Sequence, residues 1–184
     1  MHKIYNPLYN FLKIMKNLKI FILAFFIMFV SGCINIDIDK SGADKDIVEI
    51  VNKHAKAWET GDLELLDSLL HEDVVFAYPG RRLNKQETLK DLAEFDKSFK
   101  NTKIYINEII IEGDDVAVEW QFASTNIETG KRTAVSDAII GKIKDGQILV
   151  WKEYLDGRVS RMQTSGELPL EEGQEPFPWP KKSR

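Results

Sequence analysis

The sequence predicts an α+β domain in which three N-terminal helices pack on an antiparallel sheet. Two observations carry this. Apolar residues recur on a 3.6-residue period up to about residue 100, and beyond it they form four long runs separated by Gly- and Asp-containing turns. Helices segregated from sequential strands bury their apolar stripes on one concave face of the sheet.

The elements follow in order. Ile47, Ile50, Val51, His54, Ala55 and Trp58 make one stripe of a helix that starts near Asp44. Gly61 ends it and Asp62 caps a short second helix carrying Leu65, Leu66, Leu69 and Leu70. Residues 74–78 read as a short strand stopped by Pro79-Gly80. Asn84, with Glu87 three positions on, predicts a capping box for a third helix reaching about Lys100, with Leu89, Leu92, Phe95 and Phe99 inward. Strands are then expected over 103–112, 116–126, 132–144 and 147–156. Asp145-Gly146 between two apolar runs is the strongest hairpin signal.

The rest of the chain falls outside that domain, which spans 44–160. Four of the six prolines lie beyond Gly166, so 161–184 reads as a Pro-rich tail, either disordered or an extended strap; Phe177 and Trp179 favour docking. At the other end, residues 1–32 hold four Lys and no acidic residue. With 25 basic and 29 acidic residues in all, the remainder carries −8. An acidic body argues against a nucleic-acid partner, which needs a clustered basic surface. A single Cys excludes an internal disulfide framework and a multi-Cys zinc site.

Lys16-Asn17-Leu18-Lys19, an apolar run over 20–30, then Ser31-Gly32-Cys33 is the order of a secretory signal; the run has 11 residues, short of the about 20 that a membrane-spanning helix needs. Val30-Ser31-Gly32-Cys33 resembles the lipobox of bacterial-type lipoproteins. The resemblance implies a signal peptide over 1–32, lipidation of Cys33, a tether over 33–43 and a membrane-anchored, extracytoplasmic place in the cell envelope. Met15 precedes a signal of normal length.

Trp58-Glu59-Thr60-Gly61-Asp62, Leu65-Leu66, His71-Glu72-Asp73-Val74-Val75-Phe76 and Asp145-Gly146-Gln147-Ile148 leading to Trp151-Lys152-Glu153-Tyr154-Leu155-Asp156 together resemble the nuclear transport factor 2-like superfamily with its SnoaL-like domains. That resemblance implies a cone-shaped fold whose helices and curved sheet enclose a pocket. It implies no single activity, because the scaffold hosts unrelated functions. In limonene epoxide hydrolases the last strand is similar and the acid after the Trp-basic pair activates water; the matching residue is Glu153. The Arg and Asp of the neighbouring strand, however, fall on Trp120 and Phe122, so epoxide hydrolysis is not expected.

Two expectations remain for the site. The first is binding of a small hydrophobic or amphipathic molecule by an aromatic pocket including Trp58, Tyr78, Trp120 and Trp151, with Phe76 and Phe122; a well-filled core would use the same residues. The second is a cyclase or isomerase with Glu153 or Asp137 as general base and Tyr78, Tyr154 or His54 as donor. His54 lies on the apolar stripe, where a core histidine is the commoner outcome. Counting back from a two-residue Asp145-Gly146 loop pairs Ile140 with Trp151, Ala138 with Glu153 and Asp137 with Tyr154, which puts the two acids on opposite faces. No metal and no cofactor is expected, since adjacent donors such as His71-Glu72-Asp73 diverge on an extended chain. Apolar residues on both sheet faces make a homodimer a third expectation.

Overall fold

The computed structural model describes residues 40–176. The leader, Cys33, residues 33–39 of the expected tether, and Phe177 and Trp179 lie outside the described residues. Helix α1 runs Lys40–Thr60, α2 Leu63–Leu69 and α3 Lys85–Ser98, followed after the strands by α4, Gly157–Ser165. The strands are β1 Leu70–Tyr78, β2 Arg81–Leu83, β3 Phe99–Glu112, β4 Asp115–Asn126, β5 Arg132–Lys144 and β6 Gln147–Leu155. They form one six-stranded sheet in the order β2-β1-β6-β5-β4-β3.

Local chemistry explains the helix ends. Gly61 adopts φ 66°, and the Asp62 side chain accepts from the Leu65 amide at 2.9 Å. Asn84 and Glu87 close the capping box from both sides, at 3.0 and 2.9 Å. The β5–β6 turn has positive φ at both Asp145 (51°) and Gly146 (76°), which suits a tight hairpin. The α1 stripe is buried as its period predicts, with Val51 and His54 fully enclosed, and packs with Leu66, Leu92, Phe76, Trp120, Ile139 and Trp151 into the main core.

Several features differ from the sequence reading. There are four helices in the described residues rather than three, the fourth coming after the sheet. It carries no apolar stripe to announce it: Asp156 caps its start by accepting from the Arg158 and Val159 amides, and the buried Gln163 anchors it by accepting from the Ala134 amide at 2.8 Å. The sheet is not wholly antiparallel, since β1 runs parallel to β6, with Phe76 beside Trp151. Strand β1 begins at Leu70, where the chain leaves α2 directly; its exposed Glu72 and Asp73 hide the alternation. Residues 40–43, expected in the tether, belong to α1.

The segment after α4 docks as a strap. Leu170 is buried against Ala123 and Ala134, with Tyr105 beside them. Arg132 and Glu175 form an ion pair whose side chains are only 3% and 2% exposed. Arg132 also donates to the Asn101 carbonyl at 2.9 Å and to Thr125 Oγ1 at 3.0 Å, so its charge is well partnered. The strap therefore covers part of the outer sheet face. The outer residues Ile110, Ile140 and Tyr154 stay exposed. Removing one partner of a buried pair leaves the other charge uncompensated. Arg132→Met should lower unfolding stability by about 3–5 kcal/mol in denaturant titrations, and adding Glu175→Gln to it should recover part of the loss.

Candidate functional site

The site depends on how β6 lies against β5. Ile143 pairs with Ile148, but Lys142 pairs with Val150, so Leu149 has no opposite residue and the register shifts by one. Beyond the bulge Gly141 faces Trp151, Ile139 faces Glu153, Ala138 faces Tyr154 and Asp137 faces Leu155. A one-residue slip moves every side chain to the other face. This corrects the sequence-based pairing: Asp137 and Glu153, expected on opposite faces, share the inner one as diagonal neighbours. Gly141 is required here, since a Cβ would sit 2.9 Å from Val116 Cγ1 and 3.3 Å from the Trp151 ring.

The inner face and the helices enclose a cavity of about 320 Å³. Its walls are aromatic: Trp58 from α1, Phe76 and Tyr78 from β1, Phe95 from α3, Phe99 at the start of β3, and Trp120 and Phe122 from β4. Val135 and Leu155 complete the apolar lining, and the charged groups are Asp91, Asp137 and Glu153. Among the described residues no Lys, Arg or His side chain lines it.

Asp137 and Glu153 are each held by an indole. Trp120 Nε1 donates to Asp137 Oδ2 at 2.9 Å, across the β4–β5 pair in which these residues are directly opposite. Trp151 Nε1 donates to Glu153 Oε1 at 3.0 Å. Asp137 Oδ1 is buried and has no hydrogen-bond partner among the described residues. Burial pushes the Asp137 pKa up to about 7, against a lowering by the Trp120 hydrogen bond. Burial, reinforced by the charge of Asp137, pushes Glu153 up to about 8. Asp91 accepts from the Tyr78 hydroxyl at 2.8 Å, with Arg81 at 3.8 Å from its other oxygen. Burial and that hydrogen bond raise the Tyr78 pKa to about 12.

Of the expected ligand-binding residues, Trp58, Tyr78 and Trp120 line the cavity. Trp151 does not: it is fully buried in the core, and its part is to hold Glu153. His54 is also a core residue. It accepts from Trp58 Nε1 at 3.2 Å and lies parallel to the Trp120 ring, and burial lowers its pKa to about 3, so it is neutral. Tyr154 points to the outer face and is 59% exposed, which removes it as a donor. Asp91 was missed because a charge on a helix reads as solvated. Its spacing of four from Phe95 places both on one face and was the available signal. No group of three or more potential metal-binding residues clusters among the described residues.

The sequence matches the SnoaL-like domain over residues 51–151. The chain belongs to the SnoaL-like domain family. No curated protein is a detectable sequence relative. Among solved structures, IdmH of Streptomyces antibioticus, a candidate polyketide cyclase, superposes with TM-score 0.58 at 21% identity, covering 64% of this chain and 97% of its own. A Catenulispora acidiphila protein with a ketosteroid isomerase-like fold, in complex with trimethylamine, gives 0.59 at 20%, covering 64% and 92%. An epoxide hydrolase of the limonene type from M. tuberculosis gives 0.59 at 20%, covering 68% and 98%. Such identities establish the SnoaL-like fold and leave the chemistry to the site. Trp120 and Phe122 line this SnoaL-like cavity, and among the described residues no Lys, Arg or His joins them in its lining.

The raised carboxyl pKa values make stability depend on pH. The folded state holds these protons more tightly than the unfolded chain, so their contribution is complete below about pH 4 and is lost as pH rises through about 7 and 8. Urea titrations across that window should show falling stability, with a flatter profile in Asp137→Asn and Glu153→Gln.

Proposed function

We propose that this chain is a lipid-anchored, extracytoplasmic SnoaL-like protein that binds a small hydrophobic or amphipathic molecule in the cavity. One observation carries the binding half: a cavity of about 320 Å³ with aromatic walls and a few convergent polar groups. Ligand pockets commonly have about 300–1,000 Å³ and this kind of lining. The solved neighbour in complex with trimethylamine supports small-molecule binding by a protein of this fold. The anchoring half rests on the sequence order of basic residues, short apolar run and Val30-Ser31-Gly32-Cys33. No helix of the described residues is long and apolar enough to cross a membrane. Two or more acyl chains on Cys33 would hold the protein at the surface, where one barely does.

Both halves are measurable. Mass spectrometry of organic extracts from purified protein should find a small molecule, and Phe122→Ala should weaken its rebinding by roughly tenfold; protein that carries nothing and takes up nothing contradicts binding. Cys33→Ser should abolish acyl labelling and release the protein from membranes.

A second reading, an enzyme of the cyclase or isomerase type, is favoured by Asp137 and Glu153 facing one cavity with pKa values near neutrality, as a general base requires. In that reading Asp137→Asn and Glu153→Gln each lower turnover by about 10²-fold or more, and unchanged rates in both dispose of it.

A further inference from the structure

Of the three acids of the cavity, Asp137 and Glu153 have no basic partner among the described residues. Asp137 is 4% exposed, with Oδ2 on Trp120 and Oδ1 without a partner among the described residues. A buried polar atom left so is costly, and its carboxyl lines the cavity. Every other charged or titratable group facing this region is already committed. Asp91 from α3 is hydrogen-bonded to Tyr78 from β1 and lies beside Arg81 from β2, so that guanidinium is paired there. His54 from α1 is neutral in the core. Glu153 from β6 adds a second acid to the same cavity.

We propose that the cavity takes a small organic cation, an alkylated ammonium on an apolar body, with its positive group against Asp137 and Glu153 and its carbon frame among Trp58, Phe76 and Phe122. This rests on the binding function proposed above and names its ligand class. The walls suit the charge as well as the frame. Aromatic faces attract cations electrostatically, which hydrocarbon walls do not. A neutral carbonyl ligand, held by the protonated acids, is the competing occupant, and pH separates the two. A cation requires ionised carboxylates, so its affinity rises as pH passes through about 7 and 8, whereas a carbonyl acceptor loses its donors over the same range.

Phenyltrimethylammonium and tert-butylbenzene differ only in nitrogen for carbon, and the first is charged at every pH. Their binding to the full-length chain can be followed by the fluorescence of Trp58 and Trp120. The expected result is that the ammonium binds about tenfold or more tightly at about pH 8.5 than at about pH 5.5, and more tightly than its isostere at the higher pH. The Asp137→Asn/Glu153→Gln double variant, checked for native circular dichroism, should lose that preference and still bind tert-butylbenzene. Equal or better binding of tert-butylbenzene by the unaltered chain at about pH 8.5 overturns the cation assignment and leaves the binding function standing. Failure of both compounds at every pH overturns the binding function itself.

Discussion

The cavity exists in its present form because β6 carries one residue more than β5 between the hairpin turn and the site. Leu149 has no opposite residue, and every pairing beyond it is displaced by one. The displacement turns Trp151, Glu153 and Leu155 to the same face as Ile139 and Asp137. Without it the two acids would lie on opposite sides of the sheet, and the inner face would receive Lys152 and Tyr154 in their place. Gly141 allows the shift, since no larger residue fits between Val116 and the Trp151 ring.

Once the acids share a face, the aromatic surroundings decide their chemistry. Trp120 and Trp151 each offer one N–H, which fixes a carboxyl oxygen without supplying a positive charge. An indole donor favours the ionised form, but burial weighs more, reinforced at Glu153 by the charge of Asp137, so both groups stay protonated well above the usual carboxylate range. The contrast with Glu175 is instructive. That carboxyl is also withdrawn from water, yet the guanidinium of Arg132 outweighs the burial and its pKa falls. A charged partner separates a structural carboxylate from one left available to a ligand.

Much of the fold was legible because its signals are local. The α1 stripe, the Gly61 stop, the Asp62 cap, the Asn84–Glu87 box and the Asp145-Gly146 turn each depend on residues a few positions apart. What escaped depends on distant parts. Helix α4 is anchored by the amide of Gln163 rather than by an apolar stripe, and β2 is three residues held by pairing with β1. The parallel β1–β6 pairing joins strands separated by most of the domain. At the site, Asp137, Glu153, Trp58, Tyr78 and Trp120 could be singled out as residue types, and all five line the cavity. Their grouping could not be read, because nothing in Gln147-Ile148-Leu149-Val150 announces a bulge. Trp151 and His54 illustrate the opposite difficulty: core and cavity aromatics have the same sequence pattern, and only packing separates them.

The account stands on two carboxyl groups sharing one aromatic cavity that, among the described residues, no basic side chain lines. Carbon-13 NMR of side-chain carboxyls in the unliganded protein, assigned with Asp137→Asn and Glu153→Gln, measures that condition directly. Two resonances titrating near 7 and 8, that of Glu153 moving down when Asp137 is replaced, are the predicted result. Both groups titrating below about pH 5, independently of each other, would contradict it.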